Sequence, residues 1–208
     1  MSRYTGPVCR LCRAEGTKLF LKGDRCYTAK CAFTKRNARP GQHGTRRTKM
    51  SVYGLHLREK QKLRRFYSLN ETQFALLYKR AEKMAGQSGH NFLQLLERRI
   101  DNIVYRLGFA VSRSQARQLV RHGHFLVNGK RLDIPSALLS VNDVITVGDS
   151  SKDINLIKEN VEASAARTIP GWLSVNPEKM SGTVVSIPIR DQIDVPVDEQ
   201  LVVEFYAR

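Results

Sequence analysis

The stretch Ser112-Arg113-Ser114-Gln115-Ala116-Arg117-Gln118-Leu119-Val120-Arg121-His122-Gly123-His124-Phe125-Leu126-Val127-Asn128-Gly129-Lys130-Arg131 changes its periodicity half-way. Ser112 and Gln115 form a Ser-x-x-Gln capping box, Ala116, Leu119 and Val120 follow at helical spacing, and Gly123 stops the helix after about three turns. From Phe125 the chain is β-prone, and Asn128-Gly129 is the dipeptide that favours a type I′ turn, so a hairpin follows. A helix running straight into a hairpin makes this part of the chain α+β.

Upstream, Phe92, Leu95, Leu96, Ile100, Ile103, Val104 and Leu107 recur at spacings of three and four before Gly108. That period predicts one helix with a core-facing stripe. A helix from Asn70 carries Phe74, Leu77, Tyr78, Ala81 and Met84 on one face, and an earlier one runs from about Leu55 to Tyr67. Downstream, Val144 to Val147 reads as a strand and about Lys152 to Ala166 as a helix. Trp172 to Val175, Thr183 to Ile189 and Leu201 to Tyr206 are strand-like. No run approaches the ~18 apolar residues of a membrane helix.

Charge points to a partner. The 208 residues carry a net +16 with a sequence pI near 10.1, and residues 1 to 66 alone carry +15. A segment so one-sided repels itself unless a polyanion neutralises it. Its cations are scattered among Gly, Pro, Thr and Asn, as in Lys35-Arg36-Asn37-Ala38-Arg39-Pro40-Gly41-Gln42-His43-Gly44. That pattern lacks the apolar stripe of a membrane-surface helix and favours nucleic acid. In the helix after Ser112, Arg113, Arg117 and Arg121 recur at i, i+4, i+8, with no acid between Asp101 and Asp133. Three stacked guanidinium groups beside Lys130 and Arg131 predict a phosphate-gripping surface. His124, at the end of this helix, is a candidate phosphate contact.

Catalytic patterns are missing from the sequence. The five residues between Gly123 and Gly129-Lys130, followed by Arg131, do not make a phosphate-binding loop, and none of the five histidines sits in a zincin or nucleophile motif. No small-molecule substrate and no catalytic residue are expected.

Cys9-x-x-Cys12, thirteen residues, Cys26, four residues and Cys31 form two close pairs within 23 residues. Such pairs suit one structural tetrahedral zinc in a reducing compartment; an iron–sulfur cluster is the alternative for four soft thiolates.

Arg99-Ile100-Asp101-Asn102, Leu107-Gly108, Ser112 to Gln118, Gly123-His124, Val127-Asn128-Gly129 and Pro135-Ser136 resemble the small RNA-binding module named after ribosomal protein four of the small subunit. Synthetases and pseudouridine synthases carry that module too. Arg39-Pro40-Gly41-Gln42-His43-Gly44, Tyr53-Gly54, Leu57 to Lys62, Pro170-Gly171-Trp172-Leu173 and Val203 to Arg208 extend the likeness to the bacterial-type ribosomal family itself, over essentially the whole chain.

The resemblance implies a structural component of the small ribosomal subunit, cytoplasmic, that binds 16S rRNA at a 5′-domain junction and nucleates assembly. It further implies contact with small-subunit protein five affecting accuracy, and a basic wall of Arg46, Arg47 and Lys49 near the channel through which mRNA enters. Many family members lack the four cysteines, which places this chain with the metal-binding version. The implied architecture is α+β: a mainly helical domain bearing the four-cysteine metal-binding loop over residues 1–90, then an α+β domain over 91–190 whose core module, two helices plus a hairpin, spans about 98–160, with further antiparallel strands. Residues 191–208 are expected to pack back on the first domain.

Expected RNA contacts are Arg3, Arg10, Arg13, Lys35, Arg36, Arg39, His43, Arg46, Arg47, Lys49, Arg58, Lys62 and Arg65 in the basic segment. Arg99, Ser112, Arg113, Arg117, Arg121, His124, Lys130 and Arg131 are expected from the module. Leu201, Val203, Phe205 and Tyr206 are the expected protein interface. The competing readings are an RNA-binding translational repressor and an RNA-modifying enzyme. The enzyme reading lacks room for a catalytic domain once the basic segment and the module are set aside.

Overall fold

In the computed structural model, residues 4–46, 49–164 and 168–207 are described. The chain divides into two units: Met1–Phe92 with Val195–Arg208, and Leu93–Asp194.

The first unit begins with α1 (Cys9–Glu15), which Gly16 ends at φ 69°, then a 3₁₀ turn (Gly23–Cys26) and the short α2 (Ala32–Lys35). Ser51 Oγ accepts the Gly54 N–H at 3.2 Å and starts α3 (Val52–Phe66); α4 (Glu71–Glu82) follows Asn70. The next helix, α5 (Ser88–Glu97), begins in this unit and ends in the other. Phe74, Tyr78 and Phe92 are buried and pack edge-on, with centroids 4.8 and 5.5 Å apart, as aromatic quadrupoles prefer.

The second unit holds α6 (Ile100–Arg106), α7 (Arg113–Arg121), β1 (Phe125–Val127), β2 (Lys130–Arg131), β3 (Val144–Val147), α8 (Asn155–Ser164), β4 (Leu173–Asn176) and β5 (Ser181–Val184). All strand pairs are antiparallel, in the order β2-β1-β3-β5-β4. Asn128 and Gly129 have φ of 49° and 77°, the two positive values a type I′ turn requires. The Asn128 side chain also accepts the Val144 N–H at 2.9 Å and donates to Asp143 at 2.8 Å, tying the turn to β3. One face of the sheet buries Phe125, Ile145, Val147, Leu173 and Val184, which share a core with Ile103 and Val104 of α6 and Ala116 and Val120 of α7. At Gly182 a Cβ would meet the Leu107 side chain at 2.5 Å, so only glycine lets that helix end approach β5.

Four sequence expectations are corrected. The single helix expected from Phe92 to Leu107 is broken at Arg99, whose backbone is extended and bridges Leu138. The Ile100 N–H donates to Ala137 and the Leu139 N–H to Arg98, both at 2.9 Å, so strand-like pairing replaces the helical bonds there. The strand expected over Thr183–Ile189 runs instead from Ser181 to Val184. The helix expected from Lys152 begins at Asn155; its expected end at Ala166 lies outside the described residues.

The segment Leu201–Tyr206 is no strand: it lies within α9 (Glu199–Tyr206), where Asp198 caps the Gln200 N–H at 2.9 Å. Val202, Phe205 and Tyr206, at helical spacing, put one apolar face on the first unit. Val202 is fully buried, Tyr206 stacks on Tyr78 at 4.4 Å, and Phe205 lies 5.7 Å from Tyr53. β-propensity lost to a cap and a face.

Candidate nucleic-acid interface

Helix α7 turns most of its charge inward. Asp101 on α6 receives Arg99 in a two-pronged contact, Nε at 3.0 Å and Nη2 at 2.7 Å, and Arg117 Nη1 at 3.1 Å. Arg113 donates to Asn102 at 2.8 Å and lies 4.5 Å from the centre of the Tyr105 ring. Arg99, Arg113 and Arg117 are all buried. Beside them Glu97, also buried, accepts from Asn102 and from Arg106. Ser112 is buried and caps the Gln115 N–H at 3.3 Å; Gln115 in turn accepts from Val111 at 2.6 Å rather than from Ser112.

The expected three-arginine grip is therefore corrected. The i, i+4 spacing does align Arg113 and Arg117, but their shared face is the one packed on α6, and Asp101 supplies the acid that the interval to Asp133 lacks. Of the module residues expected to touch RNA, Arg121, Lys130 and Arg131 are exposed. Arg121 reaches Asp133 at 3.3 Å and Arg131 donates to the His122 carbonyl at 3.1 Å, so these cations gather where α7 meets the hairpin. His124, half-buried, pairs its Nδ1 with Ser151 Oγ at 2.8 Å. Burial, then His122 and Arg131, push its pKa below the ordinary histidine value and favour the neutral ring.

The first unit exposes most cations of its turn-rich basic segment. Arg10, Lys35, Arg36, Arg39, His43, Arg46 and Lys49 are exposed; Arg3 and Arg47 lie outside the described residues. Arg13 donates to the Ala38 carbonyl at 2.8 Å and fastens the turn-rich basic segment to α1. Arg58 and Arg65 converge on Glu15, whose side chain is fully buried, and Lys62 pairs with Glu59. Burial raises the Glu15 pKa despite Arg65, Arg58 and Lys62, which pull it down. Sequence reasoning missed the buried Lys60, bound to Glu71 at 2.6 Å, and the buried His56, 3.1 Å from Glu204 of α9. An interior position on an amphipathic helix was their only signal.

The four cysteines form no disulfide; Cys12, Cys26 and Cys31 are buried and Cys9 is half-buried. Burial raises the Cys12 pKa, and Cys26, Cys9 and Cys31 add to it, so the thiols lie within electrostatic reach of one another. Burial also raises Cys26, whereas at Cys31 hydrogen bonds from Thr34 and Phe33 outweigh burial and lower the value. The donor set suits tetrahedral zinc chemically. Among the described residues, however, no group of three or more His, Cys, Asp or Glu is placed to hold a metal ion.

Residues 3–97 match the ribosomal protein S4/S9 N-terminal domain, and residues 98–145 match the S4 domain. The small ribosomal subunit proteins uS4 of Thermoanaerobacter sp. (strain X514) and Pelotomaculum thermopropionicum are each 57% identical over 208 residues, covering all of both chains. The chain belongs to the uS4 family. A relative named small ribosomal subunit protein uS4A, from Clostridium perfringens, matches with the same identity and coverage. Within the uS4 family's two matched regions, the first contains the cysteine element and the exposed basic segment. The second contains α6, α7 and the strands β1 and β2 with the first half of β3.

Proposed function

We propose that this protein is a structural component of the small ribosomal subunit that holds ribosomal RNA by its phosphates. The observation that carries the reading is the exposed cation set between Arg10 and Lys49, in a chain similar to uS4 proteins from end to end. The uS4 family is one of ribosomal structural proteins, and the protein is not an enzyme. Its place of work is the small subunit in the cytoplasm.

At finer grain, the RNA is the 5′-domain junction of 16S rRNA, bound early in assembly; the family resemblance and the exposed basic segment support this. Arg46 and Lys49, both exposed, and Arg47 form the wall facing incoming mRNA. The contact with small-subunit protein five, which tunes accuracy, falls beside α9. Its support is the exposed Val52, Tyr53 and Leu55 at the start of α3, the helix on which α9 packs. Leu201, Val203, Phe205 and Tyr206 themselves are turned largely into their own unit. Cys9, Cys12, Cys26 and Cys31 hold one structural zinc when it is bound, supported by the two close pairs of soft donors in the sequence and by the burial of Cys12, Cys26 and Cys31.

Co-sedimentation with the small subunit after a high-salt wash, together with titration of a 16S 5′-domain transcript at several salt concentrations, tests the reading. Retention and a steep fall of log affinity with log salt are expected. Salt-independent affinity would refute it.

A further inference from the structure

The five cations of α3 all have acid partners: Arg58 and Arg65 meet Glu15, Lys60 and Arg64 meet Glu71, and Lys62 meets Glu59. α4 is different. It buries Phe74, Tyr78 and Ala81, and its opposite face carries Leu76, Lys79, Arg80 and Lys83 at i, i+3, i+4 and i+7. All four are exposed, Leu76 to 62%, and the three cations have no ion-pair or hydrogen-bond partner among the described residues. Glu71, the acid that opens α4, is taken by α3 and by the Tyr206 hydroxyl, which donates to it at 3.2 Å. Glu82 is the one acid between Glu71 and Glu97, and it lies at the flank beside Tyr78, whose pKa burial and then Glu82 raise.

Cations near a helix C-terminus also suit its dipole. Here that end is already served. The Met84 N–H donates to the Ala81 carbonyl at 3.1 Å, and the buried Asn91 side chain donates to the Met84 and Ala85 carbonyls at 3.3 and 3.1 Å. The three charged side chains therefore stand on the outer face of a helix whose inner face and end are fixed. Such a convex face gives a protein partner little to bury, and Lys is depleted where proteins meet. A phosphate backbone needs only cations at neighbouring positions, and residues three and four apart on a helix have Cβ atoms about 5–6 Å apart.

We propose that Lys79, Arg80 and Lys83 form a phosphate-binding face on α4 that holds the backbone of the bound RNA, separate in sequence from the basic segment. The proposal rests on the RNA-binding reading above and adds to it three residues that the expected contacts did not include. The acids of the first unit explain the choice of helix: they neutralise α3 and leave α4 charged. Because this face meets phosphates and no base edges, it fixes the course of the RNA without reading its sequence.

Full-length wild type, a triple variant (Lys79→Ala, Arg80→Ala, Lys83→Ala) and a charge-keeping variant (Lys79→Arg, Lys83→Arg), each titrated against a 16S 5′-domain transcript, test the proposal. Alanine preserves the helix. The triple variant should lower the slope of log affinity against log salt by about two to three units, so that between about 50 and 200 mM salt the wild type loses about 16- to 60-fold more affinity than the variant. The charge-keeping variant should bind like the wild type. An unchanged slope in the triple variant overturns the face. So does normal binding with a lowered melting temperature, which would leave these cations a dipole role alone, and normal binding with failed retention in the subunit, which would assign the face to an acidic protein. Amine-reactive labelling of the wild type, free and bound to the transcript, reads the same face without a substitution. Protection of Lys79 and Lys83 by the RNA supports it, and protection confined to other lysines overturns it. A wild type that fails to bind the transcript yet protects both lysines with another RNA would sink the ribosomal reading and leave the phosphate face standing.

Discussion

Two acids, one in each unit, each gather two arginines, and burial makes them different objects. Asp101 holds Arg99 and Arg117, whose side chains are 2% and 9% exposed; Glu15 holds Arg58 and Arg65, at 32% and 19%. In the second unit Arg99 and Arg117 are part of the core, where one shared carboxylate offsets part of their charge away from water. In the first unit the acid is the buried partner and the arginines reach toward solvent. An arginine count therefore includes partly exposed charge in the first unit and buried, fold-locking charge in part of the second.

The largest effect that would break this contrast is on stability. Asp101→Asn leaves two buried guanidinium groups without their counter-charge, and removing one partner of a buried pair costs about 3–5 kcal/mol. Denaturant unfolding should show the second unit losing that much. Glu15→Gln should cost less, because Arg58 and Arg65 are partly exposed and water can solvate guanidinium groups that lose their carboxylate. Equal losses would mean that the two sites are equivalent and the contrast false.

Metal removal comes next. Thiolate ligation couples zinc to folding, so a chelator should melt residues 1 to about 45 while α3, α4 and the second unit stay folded. Metal analysis together with amide exchange checks this. Less than half an equivalent of zinc on fully reduced protein, with an unchanged exchange pattern on chelation, would remove the zinc proposal and leave the basic segment supported by packing and Arg13 alone.

Legibility followed the range of the forces involved. The Asn128-Gly129 hairpin, the Ser112 cap and β3 were readable because their causes lie within a few residues. The break at Arg99 was not, because it depends on backbone pairing with residues 137–139. Nor was the fate of Arg113 and Arg117, since the helical period says that they share a face but not which neighbour covers it. α9 was misread because a β-branched run outweighed a one-residue signal, Asp198. In the basic segment Lys35, Arg36, Arg39, Arg46 and Lys49 are exposed, since a turn-rich stretch full of charge has little to bury.

A smaller effect sharpens the same contrast in binding. Arg46→Ala, at an exposed site, should lower the slope of log RNA affinity against log salt by about one unit. Arg117→Ala should leave the slope unchanged and reduce the stability of the second unit instead, because Arg117 faces Asp101. A slope change in Arg117→Ala with intact stability would put that guanidinium on phosphate and reverse its assignment.

The smallest effect concerns His124, where the second unit meets its exposed cations. Its pKa lies below the ordinary histidine value because burial, His122 and Arg131 oppose its charge, so the folded protein binds fewer protons here than the unfolded chain does. Stability from this group is then fully present above the ordinary value of about 6.5 and is lost as pH falls through the depressed one. Melting temperatures of wild type and His124→Asn at pH 7.5 and pH 5 isolate it: the advantage of the wild type should shrink on acidification. RNA binding gives the second half of the test, since a neutral ring held by Ser151 donates no charge to phosphate, and affinity at neutral pH should be nearly the same in His124→Asn. A wild type that gains stability on acidification, or RNA binding that collapses at pH 7.5 in the variant, would show a charged imidazole working at the RNA surface and would move His124 from the locked half of the comparison to the gripping half.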